Sequence, residues 1–241
     1  VITAPPVRTP YSAATTTHQR RKAERPQELL EAALALFVEK GYAATRAEEV
    51  AHRAGVSKGT LYLYYPSKDE LLKAVIRQFI GTEITAGGLE VEQFEGSCTE
   101  ALRTLLPPGW LRLLHSPASG VFKLIMTEVH HIPELADFYQ QEIVGPGEKI
   151  VADLLQRGID QGEFRPVDVS MTVRSITLPL AMLCIHKHSL GCCGTQHQLP
   201  FDPDRFVQAH VDLVLAGLSI HLHAGSSTAT ALPLLSSLEN S

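Results

Sequence analysis

Aromatic residues are scarce in this chain, at 6% of 241 residues, and tryptophan occurs once. The four cysteines, Cys98, Cys184, Cys192 and Cys193, are too few and too unevenly spaced for a disulfide scaffold. Long apolar runs are missing. The longest, Ile176 to Ile185, is interrupted by Thr177 and Pro179 and flanked by Arg174, His186 and Lys187. A bilayer-spanning helix needs about 20 apolar residues, so no membrane association is expected. The opening residues carry no basic segment followed by an apolar one, which argues against a secretory signal. No nucleophile elbow, phosphate loop, metalloprotease helix or dinucleotide fingerprint occurs, so enzymatic chemistry has no motif to rest on and no cofactor is expected. What is present is 44% hydrophobic residues with 20% charged ones, and Ala and Leu recur throughout. That is enough for a packed, helix-leaning core, and the expectation is a soluble cytoplasmic protein.

The net charge of −5 conceals an asymmetry. Residues 1–80 hold 12 Lys/Arg against 8 Asp/Glu, whereas residues 81–241 hold 9 against 18. The halves therefore carry +4 and −9, which sum to −5. Such a split predicts a basic module that meets a polyanion and an acidic body that does not. Arg20, Arg21, Lys22 and Arg25 cluster after a Pro/Thr-rich stretch without apolar period, and residues 1–25 are expected to form a disordered basic arm.

From Pro26 apolar residues recur at helical spacing through Leu29, Leu30, Ala33, Leu34, Phe37 and Val38, with Gly41 as the stop. Thr45 is suited to cap a short second helix, with Glu48 completing a capping box. That helix turns Val50, Ala51 and Ala54 inward. Gly55 then supplies a tight turn, and Ser57 caps a third helix anchored by Leu61. The arrangement fits a helix-turn-helix. The outer face of the third helix carries Lys58, Thr60, Tyr62 and Tyr64, with Gly59 in its first turn. These groups suit phosphate and base-edge contacts, and the helix end at Ser57 offers free N–H groups to a phosphate. Ser67 caps a fourth helix running to about Thr85. Lys68 in its first turn opposes the helix dipole, which points to a phosphate nearby.

The stretch Thr45 to Leu71 resembles the DNA-binding domain of the tetracycline-repressor family. It carries the run Ala54-Gly-Val-Ser57, then Gly59-Thr-Leu-Tyr62, then Ser67-Lys-x-x-Leu71, preceded by Lys40-Gly-Tyr42. The resemblance covers residues 26–80, and it departs mildly at Tyr64 and at Tyr65, where phenylalanine is usual. The Tyr65 phenol would need a polar partner if buried. The resemblance implies that Thr45, Thr60, Tyr64 and Lys68 hold phosphates while Lys58 and Tyr62 lie nearest the bases. It also implies a repressor that leaves a palindromic operator when a small effector binds.

Beyond residue 80 the helical pattern continues over 99–106, 121–129, 133–162, 168–188 and 203–223. Breaks are expected at Pro107-Pro108-Gly109, at Ser116-Pro117 and around 191–200. The whole chain is therefore expected to be all-α: a three-helix helix-turn-helix domain at 26–80, a helical effector-binding and dimerisation domain at 81–223, and a flexible tail at 224–241. The last two helices are apolar around more than one stripe, which predicts burial against a partner subunit as well as their own domain. Leu215 and Leu218 are assigned to that interface. An effector cavity is implied by the resemblance, with Trp110, Phe122, Met126, His130, Phe138, Tyr139, Thr172, Ile176 and Met182 as candidates to line it. Their mixture suits a hydrophobic or amphipathic molecule. His186, His188, Cys192, Cys193 and His197 are the best group of metal-type ligands, but their spacing fits no zinc template, and no metal is assigned. A second reading, an all-α binding protein or enzyme with a merely structural helix-turn-helix, stays open at this point.

Overall fold

A computed structural model describes residues 14–189 and 201–220. The expected tail and Cys192, Cys193 and His197 lie outside the described residues. The elements are α1 (Ala14–Lys40), α2 (Ala47–Arg53), α3 (Lys58–Tyr64), α4 (Lys68–Ile76), α5 (Thr82–Glu92), α6 (Cys98–His115), α7 (Gly120–Glu128), α8 (Pro133–Tyr139), α9 (Gly145–Asp160), α10 (Val169–Ser189) and α11 (Pro203–Leu218). Among the described residues no strand forms; one antiparallel bridge joins Phe164 and Ser219.

Several expected boundaries move. α1 begins at Ala14, so residues 14–25 are helical rather than disordered, and Pro26 lies inside the helix instead of opening it. A proline there removes one N–H without forbidding the turns before it. α6 runs through Pro107 and Pro108, where a break was expected. Pro107 is buried, and packing on both sides of the pair carries the helix across the missing donors. The fourth helix does not stop near Thr85. It passes through a π-helical turn, Arg77–Gly81, into α5 and ends at Glu92. A second π-helical turn, Gln140–Val144, joins α8 to α9.

The two expected domains share one core. Leu29, Phe37, Leu61, Leu71, Leu72 and Ile76 from α1, α3 and α4 pack in one cluster with Val121, Ile125, Leu135 and Leu180 from the body. A second cluster, containing Leu102, Leu155, Ile176, Val211 and Leu218, holds the far end of the body. There the Glu163 carboxylate accepts from the N–H groups of Cys98 and Thr99, both at 2.9 Å, and so closes the N-terminus of α6. α10 is long and apolar enough to pass for a membrane span by length and composition, contrary to the sequence expectation. Here it packs on α7 and α9, with Val173, Ile176, Leu180, Leu183 and Cys184 buried on one side.

Candidate functional site

The helix-turn-helix is built on two glycines with positive φ, Gly41 at 86° and Gly55 at 67°, a backbone state that side chains disfavour. Ala51 and Val50 are buried at 2% and 1% exposure, so α2 approaches its neighbours closely. Leu61, fully buried, fixes the rotation of α3. Ser57 Oγ accepts from the Thr60 N–H at 3.1 Å and lies 2.9 Å from Thr60 Oγ1, which closes the first turn of α3. The opposite face is left to solvent: Lys58, Gly59, Tyr62 and Leu63 are exposed. Leu63, at 80% exposure, is an addition to the residues picked from sequence. Its signal was available, because Leu61 and Leu63 stand two positions apart and cannot both face the core of one helix. Lys58 Nζ pairs with Glu48 at 2.5 Å and lies 5.8 Å from the centre of the Tyr62 ring. The Lys58 contact holds the Glu48 carboxyl below its usual range. Tyr64 is half-buried against the core, and Tyr65 finds the partner its phenol needs in the Pro26 carbonyl, at 3.4 Å.

Two residues assigned to phosphates face inward instead. Thr45 is 1% exposed, and its hydroxyl donates to the carbonyls of Gly41 and Leu36 at 2.8 and 3.2 Å. It therefore does not cap α2. Arg46 occupies that position, with its N–H donating to Glu49 Oε2 at 2.8 Å. Lys68 Nζ donates to the carbonyls of Tyr42 and Thr45, at 3.0 and 3.2 Å, and sits 4.1 Å from the centre of the Tyr42 ring. The Tyr42 hydroxyl donates to Asp69. Burial, reinforced by that carboxylate, pushes the phenol's pKa up. Both Thr45 and Lys68 thus fasten the loop between α1 and α2; sequence spacing places them near the groove-facing helix without showing which way they turn.

The body holds a cavity of about 410 Å³ that is partly open to solvent. Of the residues expected there, Trp110, Phe122, Met126, Tyr139 and Met182 line it. The other four do not. His130 is exposed elsewhere. Phe138 is turned beneath the Arg77 guanidinium, 4.6 Å from its ring centre. Thr172 donates to the Asp168 carbonyl at 2.7 Å, and Ile176 belongs to the far core. On α10 the turn between Ile176 and Thr177 decides the matter, since Thr177 and Leu178 line the cavity and Ile176 points away. Ile80 and Ile143, from the two π-helical turns, also line it, a position that no periodicity revealed. π turns recur at functional sites, where they re-aim side chains that a regular helix would hide. Arg77 Nε and Nη2 donate to both oxygens of Glu142 at 2.7 Å, tying these turns together.

Polar groups at the cavity are few. Trp110 and Phe122 lie 6.3 Å apart, and burial pushes the Tyr139 phenol up to about 12. Among the described residues, the charged lining comprises Glu83, Glu90 and Glu148 against one cation, Arg112, which donates to Glu83 at 3.3 Å and to Glu90 at 3.4 Å. At the end of α10, His188 Nε2 lies 2.7 Å from Ser119 Oγ, and burial lowers its pKa to about 4.

A helix-turn-helix joined through a shared core to a helical body that holds a largely apolar cavity defines a class, the ligand-responsive DNA-binding regulators. Comparison with known proteins narrows it. Residues 29–75 match the model for bacterial regulatory proteins of the tetR family, and residues 95–189 match the tetracyclin repressor-like C-terminal domain. The transcriptional repressor KstR2 of Mycobacterium tuberculosis (strain H37Rv) is 30% identical over 154 residues, which cover 63% of this chain and 76% of that protein. Two solved structures share the fold. PfmR from Thermus thermophilus has a TM-score of 0.61 and 26% identity, covering 79% of this chain and 98% of that one. FadR from Bacillus subtilis, solved with stearoyl-CoA, has a TM-score of 0.63 and 19% identity, covering 80% and 98%. The chain belongs to the tetR family of bacterial regulatory proteins and is a ligand-responsive DNA-binding transcriptional regulator. The reading as an enzyme or simple binding protein with a structural helix-turn-helix is not favoured.

Proposed function

We propose that the chain acts in the cytoplasm as a homodimeric repressor that leaves a two-fold operator when an apolar or amphipathic small molecule enters the body. The observation that carries this is the position of Ile80. It lines the cavity, and it sits in the π-helical turn that continues α4 of the DNA-binding module. A molecule filling the cavity therefore presses on the turn that continues α4, and α4 packs against α1. Half-sites on a duplex repeat at about 34–36 Å, so a shift of α4 that alters the spacing of two α3 helices lowers affinity.

Residues 26–80 form the DNA-binding module in this reading, and 81–223 the effector and dimer module. The α3 face of Lys58, Gly59, Thr60 and Tyr62, extended by Leu63 and by the helix end at Ser57, meets the operator. Tyr64 sits at its edge, and Thr45 and Lys68 position it. Repression follows the named role of KstR2. The dimer face is the outer side of α10 and α11, where Met171 and Leu213 stand 51% and 72% exposed, and it borders the cavity at the exposed Leu178 and Met182. FadR of Bacillus subtilis was solved with stearoyl-CoA, which makes an amphiphile a reasonable occupant here. Among the described lining residues three carboxylates outnumber Arg112, and Glu148 has only the distant Arg174, at 3.9 Å, as a partner, which favours a neutral or cationic head group over a polyanionic one.

The test is calorimetric titration of a bound amphiphile with and without operator DNA. By linkage, operator should weaken ligand binding by the same factor by which ligand weakens operator binding. Equal ligand affinities in both titrations would refute the coupling.

A further inference from the structure

Part of the cavity wall consists of two π-helical turns laid against each other. In the first, the Thr82 N–H donates to the Arg77 carbonyl; in the second, the Gly145 N–H donates to the Gln140 carbonyl. Ile80 and Ile143, both buried, project from these turns into the cavity lining. The turns touch: a Cβ added at Gly81 would stand 3.8 Å from Ile143 Cδ1, ordinary van der Waals contact.

Outside the cavity lining, two facing rows of side chains join the same elements. Lys73 and Arg77 stand four positions apart on α4 and its continuation, and Glu134, Phe138 and Glu142 are spaced by four along α8 and the second turn. Such spacing puts each row on one helical face. Lys73 Nζ, which also donates to Glu70, reaches Glu134 Oε2 at 3.4 Å. The Arg77 guanidinium lies over the Phe138 ring at 4.6 Å and donates through Nε and Nη2 to both Glu142 oxygens. The Arg77 and Glu142 side chains are 48% and 43% exposed, so the pair adds little to stability. Its contribution is geometric, because a planar fork on a carboxylate fixes orientation as well as distance.

A molecule that fills the cavity bears on Ile80 and Ile143 together. The turns can then part, leaving α4 where it was, or move as one and carry α4 along. π turns are places where helices bend readily, so parting is the easier course unless the turns are tied. We propose that the Arg77–Glu142 pair, seated on Phe138, is the tie that converts occupancy of the cavity into displacement of α4. Arg77 and Glu142 are thus positioning residues for regulation. The proposal rests on the effector-release reading, and it assigns the coupling to residues that touch neither the cavity nor the α3 face.

The test measures the affinity of decyltrimethylammonium by calorimetry, with and without the duplex that the wild-type chain selects from a random-sequence pool. The ratio of the two affinities is the coupling factor, expected to be about tenfold or more in the wild type. In Arg77→Met and in Glu142→Gln it should fall to within about twofold of one, and the double variant should match either single variant. Melting temperature, operator affinity without amphiphile and amphiphile affinity without operator should stay near wild type in all three. The exchange Arg77→Glu/Glu142→Arg should regain most of the ratio. A wild-type ratio that survives in the single variants overturns the tie alone. So do additive losses in the double variant, or a ratio that falls only in step with melting temperature, which would make the pair merely structural. A wild-type ratio of one, or no binding of the amphiphile, overturns the effector-release reading and the tie with it.

Discussion

The ammonium of Lys68 is held between the carbonyl oxygens of Tyr42 and Thr45, at 3.0 and 3.2 Å, and over the Tyr42 ring. The start of α4 is thereby fastened to the loop that precedes α2. Lys68→Met keeps the aliphatic stem and removes the charge. It should destabilise the protein by about 1–2 kcal/mol, as expected for partly exposed charge-assisted hydrogen bonds. DNA affinity should fall with little change in salt slope. If denaturation is unaltered and the slope drops by about one per half-site, Lys68 touches phosphate instead.

Gly59 offers a cleaner probe of the interface. A Cβ there would meet only Ser57 Oγ, at the ordinary distance of 3.8 Å. Gly59→Ala should therefore leave the fold intact and stabilise α3 by about 0.5–1 kcal/mol. Operator affinity should nevertheless drop at least tenfold, because the added methyl meets DNA. Wild-type affinity in this variant would remove Gly59 from the contact face.

The dimer face can be separated from the core by choice of residue. Leu215 and Leu218, assigned to the interface from sequence, are 7% and 2% exposed within the chain's own second cluster. Leu215→Asp should unfold the protein, because a buried unpaired carboxylate costs several kcal/mol. Met171→Asp and Leu213→Asp place the charge on the outer face, away from the cavity lining, and should give folded monomers by light scattering, with weakened operator binding. A folded dimer in both outer-face variants would move the interface elsewhere.

The charge of the cavity lining sets a preference that small amphiphiles can read. Decyltrimethylammonium should bind about tenfold more tightly than decanoate, a difference of about 1.4 kcal/mol. Glu83→Gln/Glu90→Gln should narrow or reverse that ratio by releasing Arg112 from its two partners. Calorimetry at moderate salt reads both ratios, and tighter binding of decanoate to the wild type would reverse the assignment.

The DNA-binding module was largely legible from the sequence because its constraints are local. Gly41 and Gly55 adopt backbone states few other residues reach, Ser57 closes a turn three residues long, and Leu61 must face the core if α3 is to pack at all. The cavity was legible in part. Trp110, Phe122, Met126, Tyr139 and Met182 were found by size and type, whereas Thr172, Ile176, Phe138 and His130 fit the same description and point elsewhere. Composition ranks candidates for burial, but it does not distinguish the wall of a cavity from the solid core behind it.

By itself, then, the sequence determined the helical class, the helix-turn-helix and the break in charge, since each follows from short-range spacing or from counting. Tertiary structure alone decided where the cations and hydroxyls point. Lys68 and Thr45 turn inward because carbonyls from a loop more than twenty residues away, or from the end of α1, lie within hydrogen-bonding reach. Tertiary structure also decided that α4 continues through a π-helical turn to bring Ile80 opposite Ile143. Those contacts join residues distant in the chain, and their free energy depends on packing that no local pattern encodes.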